Sequence, residues 1–124
     1  MYRIKEFAEK LNIKTDTIRY YEKINLTKSP DRSLNGYRKY SEKDLHIYQF
    51  ILRCKQFGFT LKEIKPLLDF ILSNKGKSTD LKPFLDKKII EIQKKERELR
   101  KLKSQIKTIL ESCTRNDCSL LDYL

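Results

Sequence analysis

Two cysteines near the C-terminus, Cys113 and Cys118, are the side chains of this 124-residue sequence best suited to chemistry. They bracket Thr114-Arg115-Asn116-Asp117. Thiols at that spacing can converge on one soft metal ion, and thiolates favour copper(I), zinc and other thiophilic metals. The same pair could instead form a reversible dithiol–disulfide couple, or be inert. Cys54, the third cysteine, falls on an apolar helical stripe and reads as a small buried residue. Three is an odd count and argues against a disulfide framework. The first residues lack a signal-peptide pattern, and no apolar run is long enough to span a membrane. The expectation is a cytoplasmic protein whose cysteines are mostly thiols.

A second set of functional residues lies near the N-terminus. Thr17, Arg19 and Tyr20 share the solvent face of a short helix, and all three can reach phosphates; Arg can also read guanine edges. Arg32, Tyr37, Arg38 and Lys39 follow in a basic, aromatic stretch that suits phosphate contact and entry at a minor groove. The formal net charge is +11. Residues 1–79 carry +8 of it, and residues 80–124 the remaining +3. A basic N-terminal region points first to nucleic acid and second to an anionic surface.

The elements that must position these residues are mostly helical. Ile4–Leu11 presents Ile4, Phe7, Ala8 and Leu11 on one face. Asn12 supplies a turn, and a second helix runs from Thr15, read as its N-cap, to Lys23. Small Ala8, turn Asn12 and buried Ile18 have the spacing of a helix-turn-helix. Leu26–Lys28 and Tyr37–Tyr40 read as short strands joined at Asn35-Gly36, which makes a wing. Ser41 with Asp44 opens a helix to about Gln56. Thr60 with Glu63 opens another, about Leu61–Leu72, which Pro66 is expected to kink. A polar connector, 74–79, leads to one long helix over 80–112. Its apolar residues Leu85, Ile89, Ile92, Leu99, Leu102, Ile106 and Ile109 form a heptad stripe. A rod of about 50 Å cannot bury that stripe alone, so a second copy is expected to cover it. Residues 113–124 then form a cysteine loop and a short amphipathic tail, with Leu120, Leu121 and Leu124 packing back.

Three blocks carry a resemblance: Thr17-Ile18-Arg19-Tyr20-Tyr21-Glu22, Asn35-Gly36-Tyr37-Arg38-Lys39-Tyr40 and Gly58-Phe59-Thr60-Leu61-Lys62-Glu63-Ile64. In this order and spacing they resemble the MerR family of bacterial transcription regulators, over nearly the whole chain. Lys14 stands where that family often has serine. The resemblance implies a winged helix-turn-helix head (1–73) and an antiparallel coiled-coil homodimer. It implies binding to double-stranded promoter DNA within an overlong spacer. Activation would come from distorting that spacer, so RNA polymerase is engaged indirectly through DNA. Thr17, Arg19, Tyr20, Tyr37 and Arg38 would contact DNA, and Lys55 stands where the family often has a backbone-contacting Arg.

The loop at Cys113 and Cys118 resembles the effector loop of the metal-sensing branch but is shorter than the loop that copper-efflux regulators, which the chain otherwise resembles, usually show. Divalent sensors place a cysteine at the start of the dimerisation helix, and counting back from Cys113 puts Ser78 there. Two thiolates without a third suit copper(I), silver(I) or gold(I). Zinc wants four ligands, and only Asp117, Asp122 and His46 could add to the set. The reading is a copper(I)- or silver(I)-responsive DNA-binding regulator. The alternatives are a zinc, nickel or cadmium sensor and a redox or electrophile switch through the same thiols. A structural coiled-coil protein without DNA is the reading from another class. No cluster of His, Asp and nucleophile is present, so no enzyme is expected.

Overall fold

The computed structural model describes residues 1–30, 36–74, 81–114, 118, 120 and 121. The chain divides into two compact units, Met1–Lys77 and Ser78–Leu124.

Four helices build the first unit: α1 (Ile4–Leu11), α2 (Thr15–Lys23), α3 (Glu42–Gln56) and α4 (Leu61–Asn74). Helix α1 packs on α2 and α3, and α3 packs on α4. Three of the helices stop in the same way. Asn12, Asn25 and Gly58 take left-handed backbone conformations with φ of 55°, 60° and 85°. The next N–H in each case, from Ile13, Leu26 and Phe59, donates back to the carbonyls of Ala8, Tyr21 and Cys54. This is the Schellman arrangement, which satisfies carbonyls the helix itself leaves unpaired. It explains why Asn or Gly stands at each stop, since other residues pay a steric penalty there.

Starts differ. Ser41 Oγ accepts from Asp44 N–H at 3.1 Å, and the Asp44 carboxylate accepts from Ser41 N–H at 2.8 Å. Thr60 and Glu63 repeat this reciprocal pair at 3.2 and 3.0 Å. Both capping boxes match the sequence expectation. Thr60→Ala should therefore cost about 1 kcal/mol of head stability, read as a lowered denaturant midpoint at unchanged slope. Helix α4 runs without interruption through Pro66 to Asn74. Lys14, not Thr15, is the N-cap of α2, and no side chain caps it. Thr15 is already the first residue of the helix.

The core holds Phe7, Ile18, Ile51 and Ile64, each with no exposed surface. Aromatic packing ties the wing to it. Phe7 stacks on Tyr40 with centroids 4.4 Å apart and meets Tyr48 edge-on at 5.1 Å. The Tyr48 hydroxyl lies 2.9 Å from Thr27 Oγ1, and burial pushes its pKa up to about 12.

The wing departs from the expected two-stranded hairpin. Leu26–Lys28 is not a strand, because Leu26 and Thr27 turn their N–H groups onto the Tyr21 carbonyl at 2.9 and 3.3 Å. Their donors are spent on closing α2. Tyr40 instead pairs with Tyr2, exchanging N–H···O bonds of 2.8 and 2.7 Å in one isolated antiparallel bridge. The turn residue Asn35 lies outside the described residues, while Gly36 has φ of 80°.

The second unit is dominated by α5 (Lys82–Thr114), 33 residues long. Pro83 sits in its first turn, where the missing N–H costs nothing. Leu85, Ile89, Ile92, Leu99, Leu102 and Ile106 are all exposed in the single chain. The tail does not pack back as expected: Leu120 and Leu121 are each 59% exposed. Leu121 N–H donates to the Cys118 carbonyl in a single turn, too short to carry an apolar face. Leu124 lies outside the described residues.

Candidate nucleic-acid interface and cysteine pair

Helix α2 offers Thr17 half-buried and Arg19 and Tyr20 exposed. The Arg19 guanidinium donates to Asp16 at 3.2 Å in a pair open to solvent, which holds the side chain weakly. Beyond the wing turn, Tyr37 and Lys39 are exposed and Arg38 is half-buried. Arg32 lies outside the described residues. Lys55 is exposed on the last turn of α3.

Three of the sequence-predicted residues, Arg19, Tyr37 and Arg38, line one open cleft of about 510 Å³. Thr17, Tyr20, Lys39 and Lys55 are not among its lining residues. Two residues that sequence reasoning missed, Arg3 and Lys5, complete its basic wall. Arg3 packs over the Tyr37 ring, 4.5 Å from its centroid.

Glu22 is the other missed residue. Its carboxylate accepts from the Arg38 guanidinium at 2.6 Å and from the Tyr40 hydroxyl at 2.8 Å. One side chain of α2 thereby latches the wing. Burial, helped by Glu22, raises the Tyr40 pKa, so the hydroxyl remains a donor throughout the physiological range. Arg38 has five N–H donors, so its bond to Glu22 leaves others for an anion. Glu22→Gln should weaken both charge-assisted bonds, costing about 1.5–3 kcal/mol and loosening the wing. The expected readouts are a lower melting temperature and faster amide exchange at Tyr2 and Tyr40, whose bridge the latch supports; unchanged exchange would show the latch to be idle.

Both helices of the helix-turn-helix start without a capping side chain, with Arg3 and Lys14 at their N-caps. A cation there opposes the helix dipole, unlike the acidic boxes that open α3 and α4. Glu6 and Asp16, in the first turns of these two helices, offset part of that charge.

In the second unit, Cys113 and Cys118 are each half-buried and joined as a disulfide, with Cα atoms 3.9 Å apart. The sequence reading expects thiols here; the structure brings the two sulfurs into bonding contact. The end of α5 and residue 118 come close enough for the two sulfurs to bond, and which form persists depends on the redox surroundings. Reduced, two sulfurs that can meet can equally ligate one ion, so the donor set fits a soft metal. Ser78 and Asp117 lie outside the described residues. Among the described residues, no group of three or more His, Cys, Asp and Glu converges. His46 is exposed on α3. Cys54 is buried, and burial pushes its thiol pKa up, away from the reactive thiolate. No described helix is long and apolar enough to cross a membrane.

A helix-turn-helix with a cationic face and a latched wing defines a nucleic-acid-binding head of the transcription-regulator class. The chain belongs to the MerR family of helix-turn-helix regulators. The family profile "MerR HTH family regulatory protein" matches residues 2–71, and the profile "MerR, DNA binding" matches residues 45–109. The chain is 35% identical to the mercuric resistance operon regulatory protein of Bacillus cereus, over 99% of this chain and 96% of the relative. It is 32% identical to the transcriptional regulator CueR of Salmonella typhimurium, over 98% of this chain and 90% of that one. Among solved structures it is similar to the transcription regulator PbrR691 from Ralstonia metallidurans CH34 in complex with lead(II). That match has a TM-score of 0.84 and 31% identity, and covers 99% of this chain and 98% of the other. Members of this family are transcriptional regulators, not enzymes.

Proposed function

We propose that this protein is a cytoplasmic, homodimeric regulator that binds double-stranded promoter DNA. Its response is to a thiophilic metal ion held by Cys113 and Cys118, with copper(I) or silver(I) first. The observation that carries the metal reading is the meeting of Cys113 and Cys118 at the end of α5. A two-sulfur set without a third described ligand suits a monovalent soft ion. Reduced Cys113 and Cys118 would hold the ion as thiolates, which supplies a bridge between the helix end and residue 118. The head, 1–73, carries DNA contact through Thr17, Arg19, Tyr20, Arg32, Tyr37, Arg38, Lys39 and Lys55. The exposed stripe of α5 supports pairing with a second copy as an antiparallel coiled coil. RNA polymerase is then engaged through the shape of the promoter, by distortion of its spacer.

The test is in vitro transcription from the DNA upstream of its own gene, with reduced protein and copper(I), silver(I), mercury(II), zinc or nickel added anaerobically. Copper(I) or silver(I) should raise transcript several-fold. A response to zinc or nickel alone would overturn the monovalent reading.

Two observations favour second readings. The mercuric-resistance and lead(II)-bound relatives support a divalent thiophilic effector, mercury(II) above all, which also accepts two thiolates. The disulfide supports a redox switch, which predicts a response to oxidant without metal.

A further inference from the structure

The cleft between the start of α1, helix α2 and the wing brings four cationic side chains together, Arg3, Lys5, Arg19 and Arg38, with no carboxylate among the described residues that line it. Arg19 and Arg38 have carboxylate partners, Asp16 and Glu22, which stand outside that lining. Arg3 and Lys5 form no ion pair among the described residues. Cations drawn into one concavity repel each other and focus a positive potential, and an anion relieves both effects.

We propose that Arg3 and Lys5 form a phosphate seat for the DNA backbone, completed by Arg19 and Arg38. The seat rests on the DNA-binding reading and adds to it contacts from the first five residues of the chain. Arg3 is pre-set for this role. Its neighbour Tyr2 is pinned to Tyr40 by two backbone hydrogen bonds, and its guanidinium packs over Tyr37. Packing on the ring face uses none of the five N–H donors, which lie in the guanidinium plane and are left for phosphate oxygens. Less side-chain freedom is then lost on binding. The seat meets phosphates rather than base edges, so it sets affinity and docking register without reading sequence. It also ties the N-terminal segment and the wing to the same stretch of backbone.

The experiment uses the full chain and two duplexes, one from the DNA upstream of its own gene and one of scrambled sequence. Affinity is measured across a series of salt concentrations for the wild type, Arg3→Ala/Lys5→Ala, Arg3→Lys and Arg19→Ala. The double variant should bind both duplexes about tenfold or more weakly, by a similar factor for each. The slope of log affinity against log salt should shrink by about 1 to 2, roughly one unit for each phosphate that is no longer neutralised. Arg3→Lys, which keeps the charge, should retain the slope. Thermal melting of the double variant should stay near that of the wild type. Unchanged affinity and slope in the double variant, with Arg19→Ala weakened, would overturn the seat and leave the DNA reading standing. A loss of affinity with an unchanged slope would also overturn it, as a structural effect. Absence of duplex binding by the wild type would overturn the DNA reading and the seat together.

Discussion

Cys113→Ser, made and studied in the reduced state, should lose metal affinity by at least about a hundredfold while keeping its affinity for duplex DNA within about twofold. Cys118→Ser should do the same. A serine hydroxyl stays protonated at neutral pH and is a hard ligand, so it cannot replace a thiolate on a soft ion. Outer-sphere partners of metal ligands already cost about ten- to a hundredfold when removed, so losing one of two direct ligands must cost more. Neither cysteine belongs to the head, whose core runs from Phe7 to Leu68. The check is a competition titration against a chelator in parallel with duplex binding. Unchanged metal affinity in both variants would rule the cysteine pair out as the metal site. Loss of DNA binding by a folded variant would mean that the cysteines serve the head rather than the effector.

Phe7→Ala should destabilise the head by about 3–5 kcal/mol, the range for emptying a buried aromatic site. Phe7 has no exposed surface and contacts both Tyr40 and Tyr48. A domain of this size is stable by only about 5–15 kcal/mol, so a large fraction goes with one side chain. The melting temperature should fall by about 12–40 °C, given roughly 4–8 °C per kcal/mol for a domain of 60–100 residues. DNA affinity should fall as well, because Tyr40 is the residue that Phe7 supports, and it is bonded to both Glu22 and Tyr2. Phe7→Leu should lose less, since it restores much of the volume. Thermal denaturation followed by near-ultraviolet circular dichroism, which reports the tyrosine cluster, checks this. A shift of only a few degrees for Phe7→Ala would show that the aromatic stack is not what fastens the wing.

What is legible in the sequence is whatever is decided within a few residues. Ser41 with Asp44 and Thr60 with Glu63 announce helix starts, and Asn12 and Gly58 announce stops, because caps act across three to five positions. Helices α3 and α4 accordingly start, and α1 and α3 end, where expected. Leu26–Lys28 reads as a strand because it precedes the Asn35-Gly36 hairpin signal. The left-handed turn at Asn25 commits those N–H groups to Tyr21 instead. Glu22 escapes a sequence reading because its partners Arg38 and Tyr40 are 16 and 18 residues away, beyond the reach of local periodicity. Arg3 escapes it for the same reason, as its ring partner Tyr37 lies across the wing. The stripe on α5 is plain in the sequence, since a period of seven is a local pattern. The bond between Cys113 and Cys118 is not, because it depends on how the chain returns after α5 and on redox state.

The central claim is that a DNA-binding head is governed by a soft metal held between two cysteines. The most direct test is an anaerobic titration of the reduced full chain with copper(I) against a competing chelator, with zinc and nickel in parallel. Copper(I) should bind tightly at one ion per cysteine pair, with that binding lost in Cys113→Ser and no comparable binding of zinc or nickel. Failure of copper(I), zinc and nickel all to compete, with the wild type and Cys113→Ser titrating alike, would contradict the copper(I) reading and leave mercury(II) or the redox switch as the reading of Cys113 and Cys118.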